Sequence, residues 1–474
     1  MQLVDGRLIV SATDLVGFLE CDHLVTLELA AVRGELAKPF REDPELDLIR
    51  KRGYEHERRF LERLRAEGRR IHEVATRDAR TAAELEQAAA ETAAAMRAGA
   101  DVVFQATFFD GRWRGHADFL LRRDDRPSDL GGWSYDVADT KLARRVKAAA
   151  IVQMCVYADL LARVQGIPPE TVSVVTGDGS AHPHRLADYA AYYRAAKARF
   201  EARVFGGPPD AQQGATYPEP VDHCRVCTWW PVCIDRRRAD DHLSLVANLG
   251  RSHRKRLVAA GIGTLAELAA LPPGAKVPDI APRILDRHRR QAALQVRRRE
   301  TGRLDYELLA PDPDAPGRGL AALPEPSPLD VFFDIEADPW AIEDGLEYLL
   351  GWLEVVGGEP VYHALWAHTR EEEKAAFETF VDLVVDRRRR DPRTHVYHYG
   401  GYESGALKQL MQRHATREDE VDELLRGQAL VNLYDHVVRS ALLAGVESYS
   451  IKQVEKFYLP VRAGGITEAG FSVV

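Results

Sequence analysis

The chain has 474 residues, 45% hydrophobic and 29% charged, and its 64 Lys and Arg against 73 Asp and Glu leave a formal charge of −9. That mixture excludes a disordered, fibrous or uniformly basic protein, and at roughly 100–200 residues per domain it makes room for two to four domains. A local basic path is enough to bind nucleic acid, so the global charge leaves that partner open. No run of eighteen apolar residues occurs, which predicts no membrane span. The opening MQLVDGRLIVSATDLVGFLECDH lacks a basic segment followed by an apolar one, which predicts a cytoplasmic protein.

Residues 11–35 and 44–66 read as helices, the second with Leu48, Phe60, Leu61 and Leu64 at near-helical spacing. An Ala-rich helix ends at about Gly99. Three strand-like runs follow, DVVFQATFFD, RWRGHADFLLRR and WSYDVADTKL, separated by turns, which predicts an antiparallel meander. A helix from about Val146 to Gln165, a β-rich TVSVVTG and a helix over ADYAAYYRAAKARFEARVF complete an α-β-β-β-α-β order, a mixed sheet flanked by helices. Residues 245–270 suggest two short helices around Gly261-Ile262-Gly263, and an Arg-rich helix follows, with eight Arg against two acids across 283–303. Six prolines in 311–328 read as a linker. Beyond it, LDVFFDIEAD, LEYLLGWLEV and PVYHALWA are strands, then come a long helix (371–389), the strand THVYHY and more helices. The predicted class is α/β, divided as 1–244, a helical 245–310, the linker 311–328, and 329–474.

Two constellations carry chemistry. Asp139 and Lys141 are i and i+2 on one strand and share a face; Asp118 on the neighbouring strand can come alongside. Two carboxylates with a lysine suit Mg²⁺ or Mn²⁺ chemistry on phosphodiesters, although D-x-K alone also describes a solvated strand face. Gln153 and Tyr157 share one face of the next helix. Among the five cysteines, Cys224, Cys227 and Cys233 form C-x2-C-x5-C, a metal spacing that fits zinc or an iron–sulfur cluster alike. Cys155 reads as a buried apolar residue, and Trp229 and Trp230 as packing around the cysteine group.

With these motifs in order, the first ~240 residues resemble the RecB-like PD-(D/E)XK nucleases, a restriction-endonuclease-like fold. They are more narrowly similar to the iron–sulfur members: CRISPR adaptation nucleases, AddB-type nucleases and a eukaryotic replication helicase–nuclease. The resemblance implies metal ligation by Asp118 and Asp139, assistance by Lys141, and a Q-x3-Y helix at Gln153 and Tyr157. It implies a 4Fe–4S cluster on Cys21, Cys224, Cys227 and Cys233, with zinc as the alternative. It also implies a metal-binding histidine on an early helix, four residues after a glycine. Here Gly53 is followed by His56 at three and Glu57 at four, so His56 is favoured and Glu57 is the alternative.

Residues 245–270 look similar to a helix-hairpin-helix, whose Gly-rich turn offers backbone N–H groups to a DNA phosphate. Arg251, Arg254, Lys255 and Arg256, with Arg297, Arg298 and Arg299 of the Arg-rich stretch, are candidate phosphate contacts; a solvated helix face is the other reading. Asp334 and Glu336, i and i+2 on a strand, resemble the first motif of DEDD exonucleases with a ribonuclease H-like fold. YHYGGYESGALKQL resembles the second motif, with Glu403 where Asp is usual, and Asp435 falls in a later segment. The order is similar to the YprB-like domain fused to RecB-like nucleases. A final Y-x3-D or H-x4-D is expected after residue 458 and is not found in PVRAGGITEAGFSVV. The expectation is a truncated or catalytically incomplete second domain, in a protein that continues in some relatives into a helicase. The whole reads as a metal-dependent nuclease of single-stranded or end-containing DNA, in repair, recombination or defence. The alternatives are a nucleic-acid-binding scaffold with inactive nuclease folds and a zinc-stabilised partner-binding protein.

Overall fold

The computed structural model describes residues 1–40, 44–75, 81–206, 216–311, 314, 317–339, 341–342 and 345–459. The chain divides into two compact units, Met1–Asp235 and Arg236–Val474.

The first unit opens with the hairpin β1 (Gln2–Val4) and β2 (Arg7–Ser11), then α1 (Ala12–Glu20) and α2 (Asp22–Val32). The single helix predicted over 11–35 is therefore two, because Cys21 between them is extended (φ −156°, ψ 109°). Next come α3 (Pro44–Ala66), β3 (Ile71–Glu73) and α4 (Ala82–Arg97). α4 starts on a capping box: Thr81 Oγ1 accepts from the Glu84 N–H (3.2 Å) and the Glu84 carboxylate accepts from the Thr81 N–H (3.0 Å), satisfying donors that a helix start leaves orphaned. The predicted meander is β4 (Val102–Phe109), β5 (Trp113–Arg123) and β6 (Ser134–Thr140), antiparallel throughout. α5 (Ala148–Gln165), β7 (Thr171–Val175), β8 (Ala181–Arg185) and α6 (Leu186–Phe205) follow, with β7 parallel to β6. α7 (Trp230–Ala239) carries Cys233.

The eight strands run β1-β2-β5-β6-β7-β8, with β4 joining β3 to β5. Two strands share one edge of β5. β6 pairs with Phe119–Arg123, and β2 pairs with Trp113 and Arg114. Between them the edge is open, and Asp118 lies there. α5 packs closely over this stretch: a Cβ on Gly115 would lie 3.0 Å from side-chain atoms of both Tyr157 and Leu160, so a larger residue would press on both. α5 is also the one helix among the described residues long and apolar enough to cross a membrane by length and composition, although Gln153, Asp159, Arg163 and Gln165 interrupt its apolar run. Most of it is buried in the core against Val137, Val172 and Phe200, which accounts for its apolar character.

The second unit contains α8 (Arg251–Ala259), α9 (Leu265–Ala269), α10 (Pro282–Thr301) and β9 (Tyr306–Leu308). Then come β10 (Val331–Asp338), β11 (Leu346–Val356), β12 (Glu359–Trp366), α11 (Arg370–Arg390), β13 (Val396–His398), α12 (Tyr402–His414), α13 (Glu418–Arg426), β14 (Leu430–Asn432) and β15 (Leu442–Ala444). Its main sheet runs β12-β11-β10-β13-β14, with β10–β12 antiparallel and β13 and β14 parallel to β10 and β13 respectively. The helical middle is part of this unit. β9 pairs with β15, and the buried Gln291 of α10 donates to the Ala444 carbonyl (2.7 Å). Residues 312, 313, 315 and 316 of the Pro-rich segment lie outside the described residues. So does 460–474, where the last exonuclease acid was sought.

Candidate active site and cysteine cavity

β4 and β5 do something unusual where Asp118 sits. In β4, Val102 and Phe104 pack with Phe60, Leu61 and Leu64 of α3, while Ala106 and Phe108, two and four residues on, pack with α5. In β5, Phe119 is on the α3 side, whereas Ala117 and Trp113 are on the α5 side. Regular alternation would keep each of these sets on one face. Both strands therefore exchange faces at one level, between the pairs Phe104–Phe119 and Ala106–Ala117, where Gln105 and Asp118 lie. Gln105 takes a left-handed φ of 55° to do so.

The exchange brings Asp118 to the end of β6. Its Oδ2 accepts from both the N–H (2.9 Å) and Oγ1 (2.8 Å) of Thr140. Asp139, one residue earlier, is 1% exposed and ion-paired with Lys141. Burial, then the Asp118 charge, push the Asp139 carboxyl up to about 7 against the pull of Lys141. Burial lowers the Lys141 ammonium, but Asp139, Asp118 and Glu57 outweigh it and hold it above its usual value. Glu57 is buried, and Gln105 Nε2 donates to its Oε1. His56, also buried, places Nε2 3.3 Å from the Val175 carbonyl oxygen, and burial keeps its imidazole below the ordinary pKa. Gln153 Nε2 donates to Tyr157 Oη (2.8 Å), and burial, reinforced by Asp139, raises the Tyr157 phenol.

Asp118, Asp139 and Lys141 thus form one charged group, and Glu57, through Asp139 and Lys141, and His56, through Asp118, are both coupled to it electrostatically. The structure does not assemble the ligand shell expected of Asp118, Asp139 and His56. Among the described residues no group of three or more His, Cys, Asp or Glu is arranged to hold a metal ion. The reason is local: each carboxylate has taken a nearby donor, Thr140 for Asp118, Lys141 for Asp139 and Gln105 for Glu57. The donor set remains one that Mg²⁺ or Mn²⁺ accepts, since hard cations take carboxylate oxygens. Thr140 and Gln105 were missed in the sequence. Thr140 hides inside A-D-T-K, and nothing in VVFQATFF signals a left-handed glutamine.

Cys21, Cys224, Cys227 and Cys233 line one cavity of about 340 Å³, counting space open to solvent, with His23, Leu27, Trp229 and Trp230 among its walls. All four are free thiols. Burial raises Cys21 and Cys227, and the neighbouring Cys224 adds to both. The four share a cavity but not a coordination shell. Trp229, fully buried, donates Nε1–H to Glu28 (2.7 Å) and fixes this wall to α2. Cys155 is buried on α5, away from this group, as predicted.

In the second unit, Asp334 and Glu336 point from β10 to the more open face of the sheet. Burial and the Glu403 charge raise Asp334, and burial and Asp334 raise Glu336. Burial alone would raise Glu403, but hydrogen bonding from His398 (3.2 Å) brings it below its usual value. Tyr362 was also missed: its hydroxyl lies 2.6 Å from where a Cβ on Gly351 would be, and Asp334 and Glu336 help raise its pKa after burial. Asp435 lies past β14, two strands from β10, with its carboxylate engaged by Asn432 (3.0 Å) and Arg439 (3.0 Å).

Residues 331–474 match the family model of the RNase H superfamily. The second unit's sheet accordingly carries a ribonuclease H-like domain, a fold typical of nucleases that generally use Mg²⁺ or Mn²⁺. No curated protein matches the chain.

The hairpin at 260–264 differs from expectation. Its amides are already used: Gly261 bonds Val258, Ile262 bonds Leu257, and Gly263 and Thr264 both donate to Glu267 Oε2 (2.7 and 3.0 Å). The Glu267 carboxylate takes two of the amides that the Gly-rich turn would offer to a phosphate, as part of the capping box that starts α9. Several of the candidate basic residues are likewise committed. Arg254 donates to the Leu249 carbonyl (3.0 Å), Arg256 to that of Asp279, Arg298 to that of Gly445 (2.8 Å), and Arg299 pairs with Asp241. Arg297 lies 3.8 Å from Asp305. Arg251 and Lys255 are exposed on α8.

Proposed function

We propose that the chain is a metal-dependent nuclease that hydrolyses phosphodiester bonds of single-stranded or end-containing DNA, with its principal active site in the RecB-like first unit. The observation that carries this reading is the break in the sheet at Asp118. The half-buried Asp118 and the buried Asp139 share the one Lys141 ammonium, and two carboxylates on a single cation inside a strand exchange cost free energy rather than supply it. Strain and like charges placed together are the mark of a site.

Mg²⁺ or Mn²⁺, when bound, would lower the pKa of a water and stabilise charge on the phosphate. Asp118 and Asp139 would hold it, with Glu57 or His56 completing the set. Lys141, kept cationic by its neighbours, is placed to orient the attacking water and to offset developing negative charge. Thr140 fixes one oxygen of Asp118 and so directs the other. Tyr157 and Gln153 form a neutral wall that lowers the local dielectric without adding charge.

The four cysteines are read as ligands of a 4Fe–4S cluster, with zinc as the alternative, which thiolates equally suit. Such a group would tie the junction of α1 and α2 to residues 224–233, closing a loop of about two hundred residues. Unpaired cysteines suit a reducing, cytoplasmic setting. The ribonuclease H-like site is read as secondary, and a helicase, fused or separate, as a partner that would supply single strands. Mn²⁺-dependent cleavage of end-labelled single-stranded DNA by wild type, compared with Asp139→Ala, tests the reading.

A further inference from the structure

We infer that the first unit holds a second binding site, for a nucleoside monophosphate, in a cavity lined by α5 and α6. The choice of ligand rests on the nuclease reading above, whose reaction leaves phosphomonoesters; the cavity itself does not.

The cavity measures about 440 Å³, inside the ~300–1,000 Å³ of small-molecule sites. Small side chains make the room: Cys155, Ala158 and Ala162 of α5 and Ala187 and Ala190 of α6 line it, with Pro168 and Pro169 of the connection to β7. Burial pushes the Cys155 thiol up to about 11, so it stays neutral and belongs to this apolar floor. At 3.6 residues per turn, Cys155, Ala158 and Ala162 lie about half a turn from Gln153 and Tyr157. The cavity and the Asp118 group therefore use opposite faces of one helix.

The polar part of the lining is cationic. Arg126, in the connection between β5 and β6, joins Arg185 at the end of β8 and Arg194 of α6. The Nη1 of Arg126 is buried and has no hydrogen-bond partner among the described residues. Buried donors are nearly always paired, and a guanidinium nitrogen left unpaired costs free energy that a bound anion would recover. Arg185 is only 3.9 Å from Asp188, and both side chains are exposed. Of the two acids in the lining, Glu170 is exposed and Asp159 is already matched, since Lys197 Nζ and Tyr193 Oη (3.3 Å) donate to its Oδ2. Positive charge is thus left over beside an apolar floor. The guanidinium fork suits phosphate oxygens, and the floor of alanine, proline and thiol suits a flat base.

The experiment measures binding of deoxyadenosine monophosphate, deoxyadenosine and inorganic phosphate by calorimetry, in EDTA so that no metal takes part. Melting temperatures are read without ligand. The proteins are wild type, Arg126→Met, Ala162→Phe and Asp139→Ala. The nucleotide should bind wild type more tightly than deoxyadenosine or phosphate. Arg126→Met should weaken the nucleotide about tenfold or more and leave deoxyadenosine unchanged. It should also melt at or above wild type, because it removes an unpaired buried donor; an arginine with a merely structural role would melt lower. Ala162→Phe fills the floor and should lose nucleotide and nucleoside together, with Arg126→Met carrying the test if the larger side chain disturbs folding. Asp139→Ala should bind the nucleotide as wild type does. The inference is overturned if the nucleotide does not bind wild type or binds Arg126→Met unchanged. It is also overturned if Asp139→Ala alone loses the nucleotide, which would give it to the nuclease site. Absence of cleavage by wild type would instead sink the nuclease reading and leave the binding result standing.

Discussion

Thr140 gives both its backbone N–H and its hydroxyl to one oxygen of Asp118, at 2.9 and 2.8 Å, across the place where β5 and β6 stop pairing. The side chain of Asp118 thus replaces a missing backbone acceptor, and the splayed strands are held at a fixed separation. Thr140→Val keeps the shape and the N–H bond but removes the hydroxyl. It is expected to cost about 1 kcal/mol of stability and roughly tenfold in Mn²⁺ affinity, with Thr140→Ser recovering both. Thermal melts and Mn²⁺ titration check this; an unchanged affinity in the valine variant would remove Thr140 from the site.

Asp139 sets a pH dependence. Its folded pKa, about 7, lies above the ordinary unfolded value of about 3.9. Its stabilising share is therefore complete below about pH 4 and is lost as pH rises through 7, at up to about 1.4 kcal/mol per pH unit. Metal-free wild type should melt progressively lower from pH 5 to 8, a slope that Asp139→Asn should lack. Added Mn²⁺ should stabilise wild type more at pH 8 than at pH 5, because the proton and the cation compete for one carboxylate. Parallel melting curves for wild type and Asp139→Asn would contradict this.

Much of the fold was legible in the sequence. The meander, α5, α6 and the first three strands of the second sheet carry clear apolar periodicity. β1, β2, β3 and β14 are too short for a period to show, and β8, AHPHR, has no apolar face. The site was legible where chemistry is written in residue type, as in Asp118, Asp139, Lys141 and the cysteine spacing. It was not legible where geometry decides. Glu267 is a capping-box residue whose carboxylate also takes the Gly263 amide, one of those the Gly-x-Gly pattern offered to a phosphate. Arg298 reads as a surface cation but holds the Gly445 carbonyl, 147 residues away.

That commitment changes which arginines to test for DNA affinity. Arg251→Ala with Lys255→Ala should weaken binding of single-stranded DNA without lowering the melting temperature. It should reduce the slope of log K against log salt by ~0.7 per lost contact. Arg298→Ala should act mainly on stability, because it leaves a buried carbonyl unpaired. Fluorescence anisotropy at several salt concentrations separates the two; an unchanged salt slope for the α8 pair returns it to a solvated face.

Protein purified without oxygen should carry about four irons per chain if the cavity holds a 4Fe–4S cluster. Cys21→Ser and Cys227→Ser should lose iron and stability together, while Cys155→Ser, buried elsewhere on α5, should keep its full iron content. Stoichiometric zinc in a colourless protein would instead assign the cavity to a structural zinc.

The central claim is that cleavage belongs to the Asp118–Asp139 site and not to the Asp334–Glu336–Glu403 group of the ribonuclease H-like domain. The measurement is Mn²⁺-dependent degradation of end-labelled single-stranded DNA by wild type, Asp139→Ala and Asp334→Ala at equal concentration, each checked for folding by circular dichroism. The account predicts that Asp139→Ala abolishes cleavage and that Asp334→Ala retains most of it. Full activity in Asp139→Ala, or its loss in Asp334→Ala alone, would contradict it.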